Sequence, residues 1–224
     1  MIIISSFPRS GNHLTRFLIE YLTGRPTMGC MDNSRDIPIF RTEFSENPSV
    51  LSHVSGPRIG FKSHKVYDNG VLINLELCER LILIQREPAE AILAHHVRTG
   101  KLGRLLKQKK KIKRSIKNYF ALEKYYEEFS QKKSKIVYEN LISPNKSDYL
   151  PELQKLADIC SPHVDSQRFS ELCEDFTKFR TISSQGKFGD WGGYNSQGKS
   201  DYYQSKMHPV TKKLFDYWIK KYSV

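Results

Sequence analysis

The chain has 224 residues and only four cysteines, Cys30, Cys78, Cys160 and Cys173, which are widely separated. No pair has the Cys-x-x-Cys spacing of zinc or redox sites, so reduced, mostly buried thiols are expected. Long hydrophobic runs are also lacking. Stretches such as Met1 to Ile4 and Leu81 to Ile84 fall far short of the ~20 residues that cross a bilayer, and mean hydropathy is −0.54. No transmembrane segment is expected. The chain opens directly on an apolar run, without a basic n-region or an Ala-x-Ala site, which predicts a cytoplasmic protein without a secretory signal. Acidic residues are the scarce charge, 24 against 36 Lys and Arg, giving a net charge of +12. Such an excess favours anionic partners.

What is present suffices for one core. With 38% hydrophobic and 12% aromatic residues, a chain of this length buries enough apolar surface to fold without a metal or disulfide, which excludes disorder throughout. The length predicts a single domain over residues 1–224. Lys101 to Lys117 holds nine basic residues and no acid, and its removal leaves a net charge of about +3. Two readings apply: a contact for an anionic surface, or a solvated helix or loop face.

The pattern along the chain is repeated βα. Met1 to Phe7 is a β-branched apolar run that stops at Pro8 and Gly11, a buried strand entering a loop. From Asn12, the positions Leu14, Phe17, Leu18, Tyr21 and Leu22 form one apolar helical stripe, ended by Gly24 and Pro26. Further strands are predicted over Arg58 to Lys62, Arg80 to Gln85 and Lys135 to Tyr138. Helices are predicted over Pro88 to Val97, Ser115 to Phe129, Leu150 to Ile159, Ser166 to Phe176 and Val210 to Tyr222. Apolar strands with little alternation suit a parallel sheet covered on both faces. The expected fold is therefore α/β, three-layer, with a parallel central sheet flanked by helices in the manner of P-loop NTPases. Gly29 to Val50 and Gln185 to Gln204 read as functional loops.

The loop Phe7-Pro8-Arg9-Ser10-Gly11-Asn12-His13 joins the first strand to the first helix. Backbone N–H groups and a helix N-terminus there make an anion site, to which Arg9 adds a guanidinium and Ser10 a hydroxyl. A plain strand-to-helix turn is the alternative. The loop lacks the first glycine and the Gly-Lys-Ser/Thr ending of a Walker A sequence, which argues against a magnesium-dependent kinase or ATPase.

This loop resembles the 5′-phosphosulfate loop, Tyr-Pro-Lys-Ser-Gly-Thr-Thr-Trp, of sulfotransferases that use 3′-phosphoadenosine 5′-phosphosulfate (PAPS). Arg9 stands for the lysine, Asn12 and His13 for the threonines, and Leu14 for the tryptophan. Arg58-Ile-Gly-Phe-Lys62-Ser63-His64 is similar to the family's Arg-x-x-Lys-Thr-His, whose histidine is the catalytic base. Leu81 to Pro88 looks like the strand leading to Arg-Asn/Asp-Pro, which makes Arg86 the 3′-phosphate ligand. A serine usual in the family eight positions later is Ala94 here, which leaves His95, Ser115 or a backbone group as the substitute, or the phosphate held with one contact fewer. Tyr138-Glu139-Asn140-Leu141 resembles Tyr-Glu-Asp-Leu, whose tyrosine lies near adenine. Gly186-Lys187-Phe188-Gly189-Asp190-Trp191 resembles the Gly-x-x-Gly-Asp-Trp loop that closes over the nucleotide. The Arg-Lys pair before that loop is Ser184-Gln185 here, which leaves Lys187 or Arg180 to supply the charge.

The resemblance implies sulfuryl transfer from PAPS to an acceptor hydroxyl on a sugar, glycolipid or small metabolite, with 3′,5′-ADP as product and no metal. Catalytic roles fall to His64 as base, Lys62 on the sulfonate oxygens and Arg9 on the 5′-phosphate. Arg9, Ser10, Gly11, Asn12, His13, Arg86, Tyr138, Gly186 and Lys187 would bind the cofactor. Acceptor selectivity would lie in 29–50, 101–113 and 195–204. Two alternatives remain. A small-molecule kinase of related fold would need a carboxylate where Gln85 and Arg86 stand, and a noncatalytic nucleic-acid-binding domain would rest on Lys101 to Lys117 alone. His53, His163 and His208 read as surface or core residues, and Tyr119, Tyr125 and Tyr126 as helix packing.

Overall fold

A computed structural model describes residues 1–28, 48–64, 78–98, 109–184 and 209–223. Among these residues five strands form one sheet: β1 Ile2–Ser6, β2 Thr27–Met28, β3 Gly60–Ser63, β4 Arg80–Gln85 and β5 Lys132–Val137. Their order is β2-β3-β1-β4-β5, and every pairing is parallel. The helices are α1 Asn12–Thr23, α2 Pro48–Leu51, α3 Pro88–Arg98, α4 Lys109–Glu128 and α5 Tyr138–Leu141. They continue with α6 Lys146–Cys160, α7 Ser166–Glu174, α8 Phe176–Ser184 and α9 Pro209–Tyr222. None among the described residues is long and apolar enough to cross a membrane.

The two-residue period of the strands sorts their side chains between two apolar layers. Ile2 and Ile4 of β1, with Ile82 and Ile84 of β4, pack with Phe17, Leu18 and Leu22 of α1 and with α6. Leu83 faces the other way, toward Ile92 of α3, Ile116 of α4 and Phe215 of α9. Ile3 and Leu81 share a third cluster with Phe61, against which Tyr125, Tyr126 and Phe129 pack. The result is the expected three-layer α/β arrangement. Each fully buried isoleucine contributes roughly 1.5–3 kcal/mol of transfer free energy.

Several boundaries differ from the sequence expectation. The basic helix begins at Lys109 rather than Ser115, because Ile112 is fully buried one turn before Ile116 and extends the stripe back into the lysines. Residues 109–113 are thus helix, not acceptor loop. β5 begins at Lys132, paired with Arg80, and ends at Val137, so Tyr138 opens a helix instead of ending a strand. As the edge strand, β5 carries Lys132, Lys133 and Lys135, charges that discourage edge-to-edge association. The helix expected to end at Phe176 stops at Asp175, where φ is −136° and ψ 63°, and a new one, α8, starts at Phe176.

Helix α1 is also more enclosed than a single stripe requires. Arg16 and Glu20 are 1% and 0% exposed. Arg16 donates Nε to Thr27 Oγ1 at 2.9 Å, while Glu20 Oε1 accepts from the Thr27 amide at 2.8 Å and from its hydroxyl at 2.5 Å. Both charges are therefore bound to β2. Cys78 and Cys160 are buried and Cys173 is half-buried, with the Cys160 thiol pushed up to about 12 by burial; Cys30 lies outside the described residues.

Candidate functional site

The strand order fixes where a site can form. From β1 the chain moves to β2 and β3 on one side, and from β4 to β5 on the other. The C-terminal ends of β1 and β4 therefore flank the topological switch point, where open parallel sheets bind ligands. Residues 7–13 leave one of these ends and Arg86 the other.

Phe7 anchors the loop by its burial in the apolar layer under α4 and α9. The Ser10 amide closes a turn on the Phe7 carbonyl at 3.2 Å, with Arg9 at φ 74° and Gly11 at φ 86°. Among the described residues no side chain caps the start of helix α1, and the Thr15 amide donates to the Gly11 carbonyl at 3.1 Å. The amides of that first turn lack helical partners by construction. Ser10 is 0% exposed and its hydroxyl has no hydrogen-bond partner among the described residues, a condition costing about 1–3 kcal/mol unless something fills it. An anion's oxygens match both deficits.

Gly11 is required on two counts. Its φ is one that L side chains avoid, and a Cβ there would stand 2.1 Å from Cδ2 of Tyr138. The tyrosine ring thus lies directly on the loop. Burial raises the Tyr138 phenol pKa, opposed by the positive charges of Arg86, Arg9 and Arg180, so the ring and these guanidinium groups form one neighbourhood.

Arg86 supports the loop from β4. It is 3% exposed, donates Nη1 to the Arg9 carbonyl at 2.7 Å, and pairs Nη2 with Glu90 Oε2 at 2.9 Å. Its Cζ stands 5.0 Å from the Tyr138 ring centroid. The Tyr119 hydroxyl donates to the Arg86 carbonyl, a function beyond the packing expected of this aromatic.

On the other side of β1, His64 follows the end of β3. Its Nδ1 lies 2.7 Å from the Ser6 carbonyl. A carbonyl only accepts, so Nδ1 carries a proton, and in the neutral tautomer the lone pair is on Nε2. Ser6 Oγ accepts from Asn12 Nδ2 at 3.0 Å, which ties the ends of β3 and β1 to the start of α1. Lys62 lies on β3 in register with Ile4 and is half-buried. His13, the second residue of α1, is half-buried as well.

The structure thus gathers Arg9, Ser10, Gly11, Asn12, His13, Arg86 and Tyr138 around one loop, with His64 bonded to the strand that leads into it. Gly186 and Lys187 lie outside the described residues. Of the candidates for the role of the missing serine, Ser115 is paired with His96 Nε2 at 2.8 Å, and the His95 ring stands edge-on to Phe7 at 5.7 Å. Ala94 itself is buried. Arg180 donates to the Ser143 carbonyl at 3.0 Å. Ser6, Glu90 and Tyr119 were not anticipated. Glu90 had a readable signal, an acid four residues after Arg86 in a helical first turn, whereas nothing in the sequence around Ser6 or Tyr119 marks their bonds.

At the opposite, N-terminal end of the strands lies a cavity of about 240 Å³ lined by Ile2, Arg25, Ile59, Arg80 and His163, among others. His163 Nε2 is 3.4 Å from Arg25 Nη1, and His53 Nε2 is 3.2 Å from the Tyr21 carbonyl, both away from the loop. Comparison of the chain with protein-family models and with curated proteins finds no match.

Proposed function

We propose that the chain is a PAPS-dependent sulfotransferase acting on an acceptor hydroxyl of a sugar, glycolipid or small metabolite. The observation that carries this reading is the bond from His64 to the Ser6 carbonyl: it holds a proton on Nδ1, so that Nε2 is the nitrogen left to act as a base, next to the strand that leads into the anion-seeking loop. The Ser10 hydroxyl and the start of α1, neither met by a side-chain partner among the described residues, fit a phosphate group.

Bound PAPS supplies the sulfuryl group and leaves as 3′,5′-ADP. The loop amides, Ser10 and Arg9 hold the 5′-phosphate, and Lys62 neutralises the sulfonate oxygens. Arg86 reaches the 3′-phosphate by exchanging the Glu90 carboxylate for it, with Arg180 adding positive charge nearby. Tyr138 offers its ring face to the adenine. His64 takes the acceptor proton on Nε2, the role of a general base. Lysine and arginine charges supply the electrostatic stabilisation in this scheme.

The test is calorimetric titration with 3′,5′-ADP, without and with magnesium, and with ATP as control. Micromolar binding of 3′,5′-ADP without metal, lost in Arg86→Ala, is expected, followed by sulfate transfer from PAPS in an acceptor screen. Binding of ATP alone, and only with magnesium, would replace this reading with the kinase.

A further inference from the structure

The basic stretch does not stand alone in the folded chain. Helix α4 exposes Lys110, Lys111, Lys113, Arg114 and Lys117. Helix α9, almost a hundred residues later, exposes Lys212, Lys213, Lys220 and Lys221, with Asp216 as its one exposed acid. The two helices pack through Ile112, Ile116, Phe215 and Trp218. At the seam, Lys113 Nζ stands 5.9 Å from the Trp218 ring centroid and Lys117 Nζ 5.6 Å from that of Tyr222. Nine exposed cations therefore occupy one helical pair.

This surface is also apolar in a specific way. Among the described residues the exposed large hydrophobics are Met1, Val210 and Tyr217, the last two 49% and 56% exposed. Val210 and Tyr217 are seven residues apart on α9 and so share a helix face. Lys213 lies between them, while Lys220 and Lys221 follow Tyr217 at i+3 and i+4, with Lys221 Nζ 5.9 Å from the Tyr217 ring centroid. An aromatic with a polar tip, an aliphatic side chain and flanking lysines suit a headgroup layer. The lysine stems can lie along acyl chains while their ammonium groups stay with lipid phosphates. A soluble polyanion would use the charges but not the exposed valine.

We propose that α4 and α9 together form a docking face for an anionic lipid bilayer. Phe7, which opens the site loop, packs in the same apolar cluster as Ile116 and Trp218, so docking would hold the candidate site one layer from the membrane. The proposal does not depend on the chemistry at that site.

The experiment is sedimentation of the full chain with phosphatidylcholine vesicles, with and without phosphatidylserine, at low and high salt. Binding only to the phosphatidylserine vesicles, weakened by salt, is expected. Replacing Lys212, Lys213, Lys220 and Lys221 together by glutamine should lower the partition at least ~10-fold, given the attraction of each lysine to an anionic leaflet, with the melting temperature as the check on folding. Tyr217→Ser should weaken vesicle binding while leaving retention on heparin or duplex DNA unchanged. Absence of vesicle binding would overturn the proposal. Tight binding to heparin or DNA together with vesicle binding indifferent to Tyr217→Ser would overturn it in favour of a soluble polyanion.

Discussion

Arg86 donates Nη1 to the main-chain carbonyl of Arg9 at 2.7 Å, across 77 residues of sequence. That bond joins the end of β4 to the residue whose φ is 74°, a backbone conformation that costs on the order of 1–3 kcal/mol and persists only where neighbours enforce it. The sequence resemblance implies a role for Arg86 as a phosphate ligand. The structure gives it a second task, holding the loop in shape through a fork shared between a carbonyl and Glu90.

Arg86→Lys separates the two tasks. A lysine keeps the charge but has no planar fork with which to engage both the Arg9 carbonyl and Glu90. The variant should be less stable by roughly 1.5–3 kcal/mol, the value of a hydrogen bond to a charged group, in chemical denaturation. Its affinity for 3′,5′-ADP should fall at least ~10-fold by calorimetry, which corresponds to about 1.4 kcal/mol. Wild-type stability in this variant would remove the loop-holding role.

Gly11→Ala tests the contact between the loop and Tyr138. The added Cβ must avoid Cδ2 of Tyr138, 2.1 Å away, while the backbone keeps φ at 86°. Left-handed backbone strain alone costs about 1–2 kcal/mol, and displacement of the ring adds to it. A lower melting temperature is expected, with loss of 3′,5′-ADP binding because the ring and loop no longer fit together. Gly11→Ala combined with Tyr138→Ala should recover part of the stability.

His64→Ala should lower kcat roughly 10²-fold or more, the contribution expected of a general base, while 3′,5′-ADP still binds. His64→Gln keeps a donor for the Ser6 carbonyl but lacks the basic nitrogen, so it should restore stability without restoring turnover. The pH profile of kcat supplies the second readout, since the acidic limb of the wild type should vanish in both variants. Unchanged kcat in a folded His64→Ala enzyme would dismiss the base assignment.

His163 gives a pH prediction independent of catalysis. Burial first, and then the positive charges of Arg25 and Arg80, lower its pKa below the ordinary 6.5. The unfolded chain then binds the proton more readily than the folded one, so stability falls as pH drops through the interval beneath 6.5. Thermal melts at neutral pH and near pH ~5.5 should show less of this loss in His163→Gln than in wild type. Arg25→Gln should ease protonation of folded His163, bring its pKa back toward 6.5 and so reduce the loss.

The sheet, its flanking helices and the strand-to-helix loop were legible because they rest on local rules. Apolar strand runs, a helical stripe after Asn12, and Pro and Gly as terminators need no knowledge of the rest of the chain. β2 was not legible, since a two-residue strand at Thr27 has no periodicity to read. Nor was the start of α4 at Lys109, because a run of lysines conceals a stripe whose first buried member is Ile112.

By itself the sequence determined the α/β alternation, the placement of Arg9, Ser10 and Gly11 between β1 and α1, and the location of Arg86 and His64 at strand ends. Only the tertiary structure decided that Nδ1 of His64 meets the Ser6 carbonyl, that Arg86 holds Arg9 and that Tyr138 covers Gly11. It also decided that lysines of α9 join those of α4. The physical reason is range. Helix and strand periodicity are written in neighbouring residues, whereas each of these contacts forms between groups distant in sequence that come together only when parallel strands bury their apolar faces in the order β2-β3-β1-β4-β5.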